Sequence, residues 1–82
     1  MEKEVEEFFH SGTDKREKGL YEESIVNFLQ ALSINPNHIA SLSQISYSLS
    51  HLKRYEEALN YSSKVVDIIP EYHTYMSKLN LL

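Results

Sequence analysis

The sequence predicts an all-α fold: a helix–turn–helix solenoid of two hairpins, closed by a short C-terminal capping helix. Three observations carry that expectation. Apolar residues recur at i, i+3, i+4 and i+7 along most of the chain, the spacing of one helix face. Gly19, Pro36 and Pro70 punctuate the pattern where helices should end. One segment also echoes another at a fixed offset of 34 residues: Tyr21-Glu22-Glu23 returns as Tyr55-Glu56-Glu57, and Pro36 as Pro70.

The first stripe is Val5, Phe8, Phe9 and Gly12. Lys18-Gly19 closes it, glycine being favoured where a helix turns left-handed at its end. The second stripe, Tyr21, Ser24, Ile25, Phe28, Leu29 and Leu32, stops before Pro36, which cannot donate a backbone hydrogen bond and disfavours helix at the preceding residue. The third is Ile39, Leu42, Ile45, Leu49 and Leu52, with Asn37 as the expected N-cap. Its serine-rich stretch Ser41–Ser50 has some alternation, but the apolar members keep helical spacing. The fourth is Tyr55, Ala58, Leu59, Val65, Val66 and Ile69, interrupted at Ser62. Tyr72, Tyr75, Met76, Leu79 and Leu82 predict a short fifth helix. Glu22–Glu23 and Glu56–Glu57 fall in first turns, where negative charge complements the helix dipole. The linkers are so short that successive helices must return as antiparallel hairpins.

Eighty-two residues are enough for one domain, spanning 1–82. The hydrophobic share of 41% implies a thin core and marginal stability. The absence of cysteine excludes disulfides and thiolate metal sites. No apolar run is long enough to span a bilayer. The opening MEKEVEEFF lacks the basic-then-apolar layout of a signal peptide, so a cytoplasmic location without membrane attachment is expected. The net charge is −4, with eight acids against four bases in Met1–Glu23 and no basic stripe, which argues against nucleic acid as a partner. Ser24–Leu52 contains no Asp, Glu, Lys or Arg, as fits two inner helices; the other reading is a neutral partner or self-association surface. The four histidines form no HExxH or i, i+4 pair, and there is no Gly-rich phosphate loop or nucleophile elbow. Neither a metal, a cofactor nor an enzyme activity is therefore expected.

With its 34-residue helix–turn–helix period, the chain resembles the tetratricopeptide repeat family. The first copy, about 5–38, reads Phe8, Ser11-Gly12, Lys15, Ser24, Phe28, Ala31 and Pro36 at the family positions. The second, about 39–72, reads Leu42, Ile45-Ser46, Leu49, Ala58, Ser62, Val65 and Pro70, and 73–82 fits the opening of a third unit. The resemblance implies close helix approach at the small residues Gly12, Ser46, Ser24 and Ala58. Phe8, Leu42, Phe28 and Val65 should fill the space between helices, and Tyr21 and Tyr55 should open the second helices and pack across the hairpins. Two departures stand out. Lys15 replaces the usual tyrosine, its stem expected to cover the site while its charge reaches water. Ser62 replaces a large residue, so the second hairpin is expected to pack loosely.

Tetratricopeptide arrays mostly bind a peptide or protein partner in the concave surface lined by their first helices. Carried over, that surface comprises Glu6, Phe9, His10 and Thr13 from the first copy. It adds Ala40, Ser43, Gln44, Tyr47 and His51 from the second, and Thr74 and Lys78 from the tail. Phe9 and Tyr47 are the expected anchors, since buried aromatics carry much binding energy; the other reading of Phe9 is simple packing on the neighbouring helix. The positions that form a carboxylate clamp in chaperone adaptors hold Phe9, Thr13, Gln44, Thr74 and Lys78 here, with only one of the required charges, so such a clamp is not expected. The rival reading is a structural solenoid segment whose apolar ends pair weakly with other copies.

Overall fold

The computed structural model describes residues 1–69 together with Glu71 and Lys78. Among these residues the elements are α1 (Glu2–Glu17), α2 (Tyr21–Ile34), α3 (Ile39–His51) and α4 (Tyr55–Ile68), with no strand. The expected fifth helix, Pro70 and Thr74 lie outside the described residues. Each helix packs on the next, and α1 also reaches α3. The described residues thus form two consecutive hairpins, α1–α2 and α3–α4, joined through α2 and α3. No helix among the described residues is long and apolar enough to cross a membrane.

Both first helices end in the same way. The Gly19 N–H donates to the Arg16 carbonyl and the Leu20 N–H to the Lys15 carbonyl, each at 2.9 Å. Thirty-four residues on, Lys53 donates to Ser50 (3.0 Å) and Arg54 to Leu49 (2.9 Å). This pair of bonds uses up carbonyls that the helix leaves open, and it requires a left-handed residue at its pivot. Gly19 takes that conformation at φ 79°, and Lys53 takes it at φ 62° with a side chain attached. Between the hairpins, Asn35-Pro36-Asn37-His38 forms a turn in which the His38 N–H reaches the Asn35 carbonyl (3.0 Å) and the Asn37 N–H reaches Asn35 Oδ1 (3.2 Å). The N-cap of α3 is therefore His38 rather than the expected Asn37. Asn37 is held inside the turn by the side chain of Asn35. At the start of α4, the Arg54 guanidinium donates to both oxygens of Glu57 (2.6 and 2.9 Å). These bonds hold the Glu57 carboxyl below its ordinary range.

The core is Val5, Phe28, Ala31, Leu42, Ile45, Leu49, Ala58 and Val65. Phe28, Leu42 and Val65 fill the space expected of them, but Phe8 does not: it is half-buried, and Val5 is the fully enclosed residue at that end of α1. Leu29 and Leu59, placed on the apolar stripes by spacing, are exposed. Ser24, Ser41 and Ser48 are fully buried instead.

The two hairpins fill one equivalent slot in different ways. In the first, a Cβ on Gly12 would lie 2.6 Å from Cε1 of Phe28, so the ring rests on a bare Cα. In the second, the matching residues are Ser46 and Ser62. The Ser46 Oγ donates to the Ala58 carbonyl (3.0 Å), leaving the Ser62 hydroxyl to donate to Ser46 Oγ at 2.6 Å. The loose packing expected at Ser62 is thus replaced by a hydrogen-bonded contact between α3 and α4. A similar bond joins the hairpins: Ser24 Oγ donates to the Tyr21 carbonyl (2.7 Å), and Ser48 donates to Ser24 across 3.1 Å. Lys15 also finds a partner within its hairpin, its Nζ donating to Asn27 Oδ1 at 2.8 Å rather than reaching freely into water.

The opening tyrosines differ too. Tyr21 lies parallel to His51 of α3, with ring centroids 4.5 Å apart and planes 9° apart, so it packs on the next hairpin rather than across its own. Tyr55 is 64% exposed and does not pack as expected.

Two outcomes follow from this packing. Gly12→Leu should destabilise the domain by about 1–3 kcal/mol or more through overpacking against Phe28, read as a lower melting temperature with the first hairpin most affected. Lys53→Gly should raise stability by about 1 kcal/mol by relieving left-handed backbone strain, read as a higher urea midpoint at unchanged slope.

Candidate functional site

Because α1 and α3 are the first helices of successive hairpins and lie close together, their side chains share one face of the molecule. At their C-terminal ends, four residues from three helices form a ladder. The Arg16 guanidinium carbon sits 5.3 Å from the centroid of the Tyr47 ring. Tyr47 leans on His51 with centroids 4.5 Å apart and planes at 49°. His51 in turn stacks on Tyr21. An aromatic ring under a guanidinium attracts it electrostatically through its quadrupole, so Tyr47 is held from both sides while remaining 46% exposed.

At the other end of the face, Glu6 lies between two histidines. Its carboxylate oxygens are 3.6 Å from His10 Nε2 and 3.7 Å from His38 Nε2. His38 also meets the buried Ser41 hydroxyl through Nδ1 at 2.7 Å. Phe9 is wedged among these groups, its ring centroid 5.9 Å from His10, 5.5 Å from His38 and 5.7 Å from Phe28. No group of three His, Cys, Asp or Glu among the described residues is arranged to hold a metal ion.

Three polar atoms of this region, Thr13 Oγ1, Arg16 Nε and Gln44 Oε1, are buried without a hydrogen-bond partner. Buried polar atoms normally find one. A shallow cleft of about 330 Å³ lies elsewhere, at Lys53–Glu57 around the start of α4, and includes none of these groups.

The residues assigned to the groove from sequence fall out as follows. His10, Ala40, Ser43, Tyr47 and His51 are exposed, and Thr13 and Gln44 are half-buried. Lys78 is exposed, with its neighbours outside the described residues. Phe9 is half-buried and packs against the core group of Phe28, Ile45, Leu49 and Ala58. It belongs as much to the fold as to any surface. Arg16 was not among the sequence candidates. It continues the line of Phe9 and Thr13 at i, i+4, i+7, but its pairing with Tyr47 depends on how α1 meets α3.

The model of the tetratricopeptide repeat family matches residues 15–38 and 39–72, more than half of the chain. The chain belongs to the tetratricopeptide repeat family. Repeats of this family are generally modules of protein–protein interaction and typically non-catalytic scaffolds. No curated protein matches the chain significantly. The first match begins at Lys15, so most of α1, on which the ladder and the Glu6 cluster both draw, lies outside the matched residues.

Because Phe9 supports the core, Phe9→Ala should cost about 2 kcal/mol of stability, measured by urea denaturation. It is therefore unsuitable as a probe of binding alone.

Proposed function

We propose that this tetratricopeptide repeat chain is an interaction module that binds an extended peptide segment of a partner protein across the face shared by α1 and α3. The observation that carries this reading is Tyr47, a large aromatic that is nearly half exposed yet held between Arg16 and His51. A side chain already fixed loses little rotamer entropy when a ligand covers it. Thr13 and Gln44, with unpartnered polar atoms nearby in the chain's two first helices, are suited to hydrogen-bonding in the same groove once side chains adjust. His10 and His51 border it. In this reading residues 1–82 act as one domain, residues 73–82 cap it, and Lys78 extends the groove. The partner is protein in a cytoplasmic setting, with neither nucleic acid nor membrane, and the module performs no reaction.

Tyr47→Ala tests the reading. Against peptides selected on the intact chain from a random display library, it should weaken binding by about 2 kcal/mol or more, with helicity by circular dichroism near that of the wild type. Equal affinity for both proteins would place the ligand elsewhere.

One observation favours a second reading, self-association. Tyr55 and Leu59 on α4 are 64% and 65% exposed, while their first-hairpin counterparts Tyr21 and Ile25 are half-buried. A further helix from another copy would cover that face as α3 covers α2. Sedimentation equilibrium separates the two readings: a mass rising with concentration supports pairing, and a constant monomer mass removes it.

A further inference from the structure

The chain has two arginines, and they are treated in opposite ways. Arg54 is paired: Glu57 takes one edge of its guanidinium in a bidentate contact, and Glu22 lies 3.9 Å from the remaining terminal nitrogen. Arg16 has no acidic group within ion-pair distance among the described residues, although the chain carries a net charge of −4. The acid on the same face, Glu6, is already flanked by His10 and His38. Arg16 is nevertheless positioned, half-buried with its guanidinium over Tyr47. Its Nε is enclosed and without an acceptor.

A guanidinium held over a ring without a counter-ion is placed to pair with an arriving anion. From this we infer that the groove recognises a carboxylate side chain of the partner peptide at Arg16, next to an apolar or aromatic residue that covers the exposed part of Tyr47. The inference rests on the groove reading above and names the chemistry of its ligand. Because Nε is enclosed, the carboxylate meets the guanidinium end-on at its terminal nitrogens, which present two parallel donors to two acceptor oxygens. His51, on the far side of Tyr47 and in the last turn of α3, adds no competing negative charge. The position differs from those matching the chaperone carboxylate clamp, so the acid need not be a chain terminus.

The test uses a random dodecapeptide display library, panned on the intact 82-residue chain. Selected peptides should be enriched in Asp or Glu beside an aliphatic or aromatic residue. Replacing that Glu by Gln in a synthetic peptide should weaken binding to the wild type roughly tenfold. The same replacement should cost little against Arg16→Gln, because the coupling is then already lost. Arg16→Lys should retain part of the preference, and added salt should weaken wild-type binding. Circular dichroism and melting of each variant separate binding loss from unfolding; a variant that unfolds is replaced in the comparison by Arg16→Lys. Peptides that depend on Tyr47 but not on an acid would overturn this inference and leave the groove standing. Peptides indifferent to both residues, or no selection at all, would overturn the groove reading itself.

Discussion

The first hairpin depends on one close approach: the ring of Phe28 lying on the bare Cα of Gly12. Any other residue at position 12 would put an atom inside that ring's contact distance and force α1 outward. Phe28 is also the largest enclosed side chain, and it joins Ile45, Leu49 and Ala58 from the second hairpin, with Phe9 packed against them. The position of α1 relative to α3 thus follows from this contact. So does the placement of Arg16 over Tyr47 at one end of the shared face, and of Glu6 beside His38 at the other. The face shared by α1 and α3 takes its geometry from this neighbouring contact of α1 with Phe28.

What was legible in the sequence was local. Helix starts at Tyr21 and Tyr55 and the left-handed pivot at Gly19 depend on residues within a turn of each other, and the 34-residue offset repeats those local choices. Arrangements set by the number of neighbours were harder to read. α3 touches α1, α2 and α4, so its buried arc is wider than a single apolar stripe and takes in Ser41 and Ser48. Leu29 and Leu59 sit at helical spacing but on the edge of an arc that no neighbour among the described residues covers. Of the candidate site, Tyr47 and His51 were reached by carrying over the groove positions that the family resemblance implies. Arg16 was not, because what distinguishes it is a ring contributed by another helix. Phe9 looked like an anchor because its register fits the groove, and the same register brings it against Phe28.

The uncharged block Ser24–Leu52 has a physical account in this packing. A thin core leaves little room to shelter an ion, and a buried charge without full pairing is far more costly than a buried hydroxyl. Serine is small enough for close helix approach and is satisfied by one or two hydrogen bonds. Ser24, Ser46, Ser48 and Ser62 form such bonds between helices, each adding a modest net stabilisation and a directional requirement that aliphatic contacts lack.

That directional requirement bears on how the chain avoids misassembly. Repeat proteins are prone to exchange equivalent elements, since each hairpin resembles the next. Here the equivalent slots are chemically distinct. α4 set against α1 would place the small Ser62 over Gly12 and leave a void. α2 set against α3 in hairpin register would drive the Phe28 ring into Ser46. Either exchange also strands a hydroxyl whose partner has gone. The difference between a glycine–phenylalanine contact and a serine–serine bond therefore gives each hairpin an identity, and two repeats of nearly the same outline fold without being interchangeable.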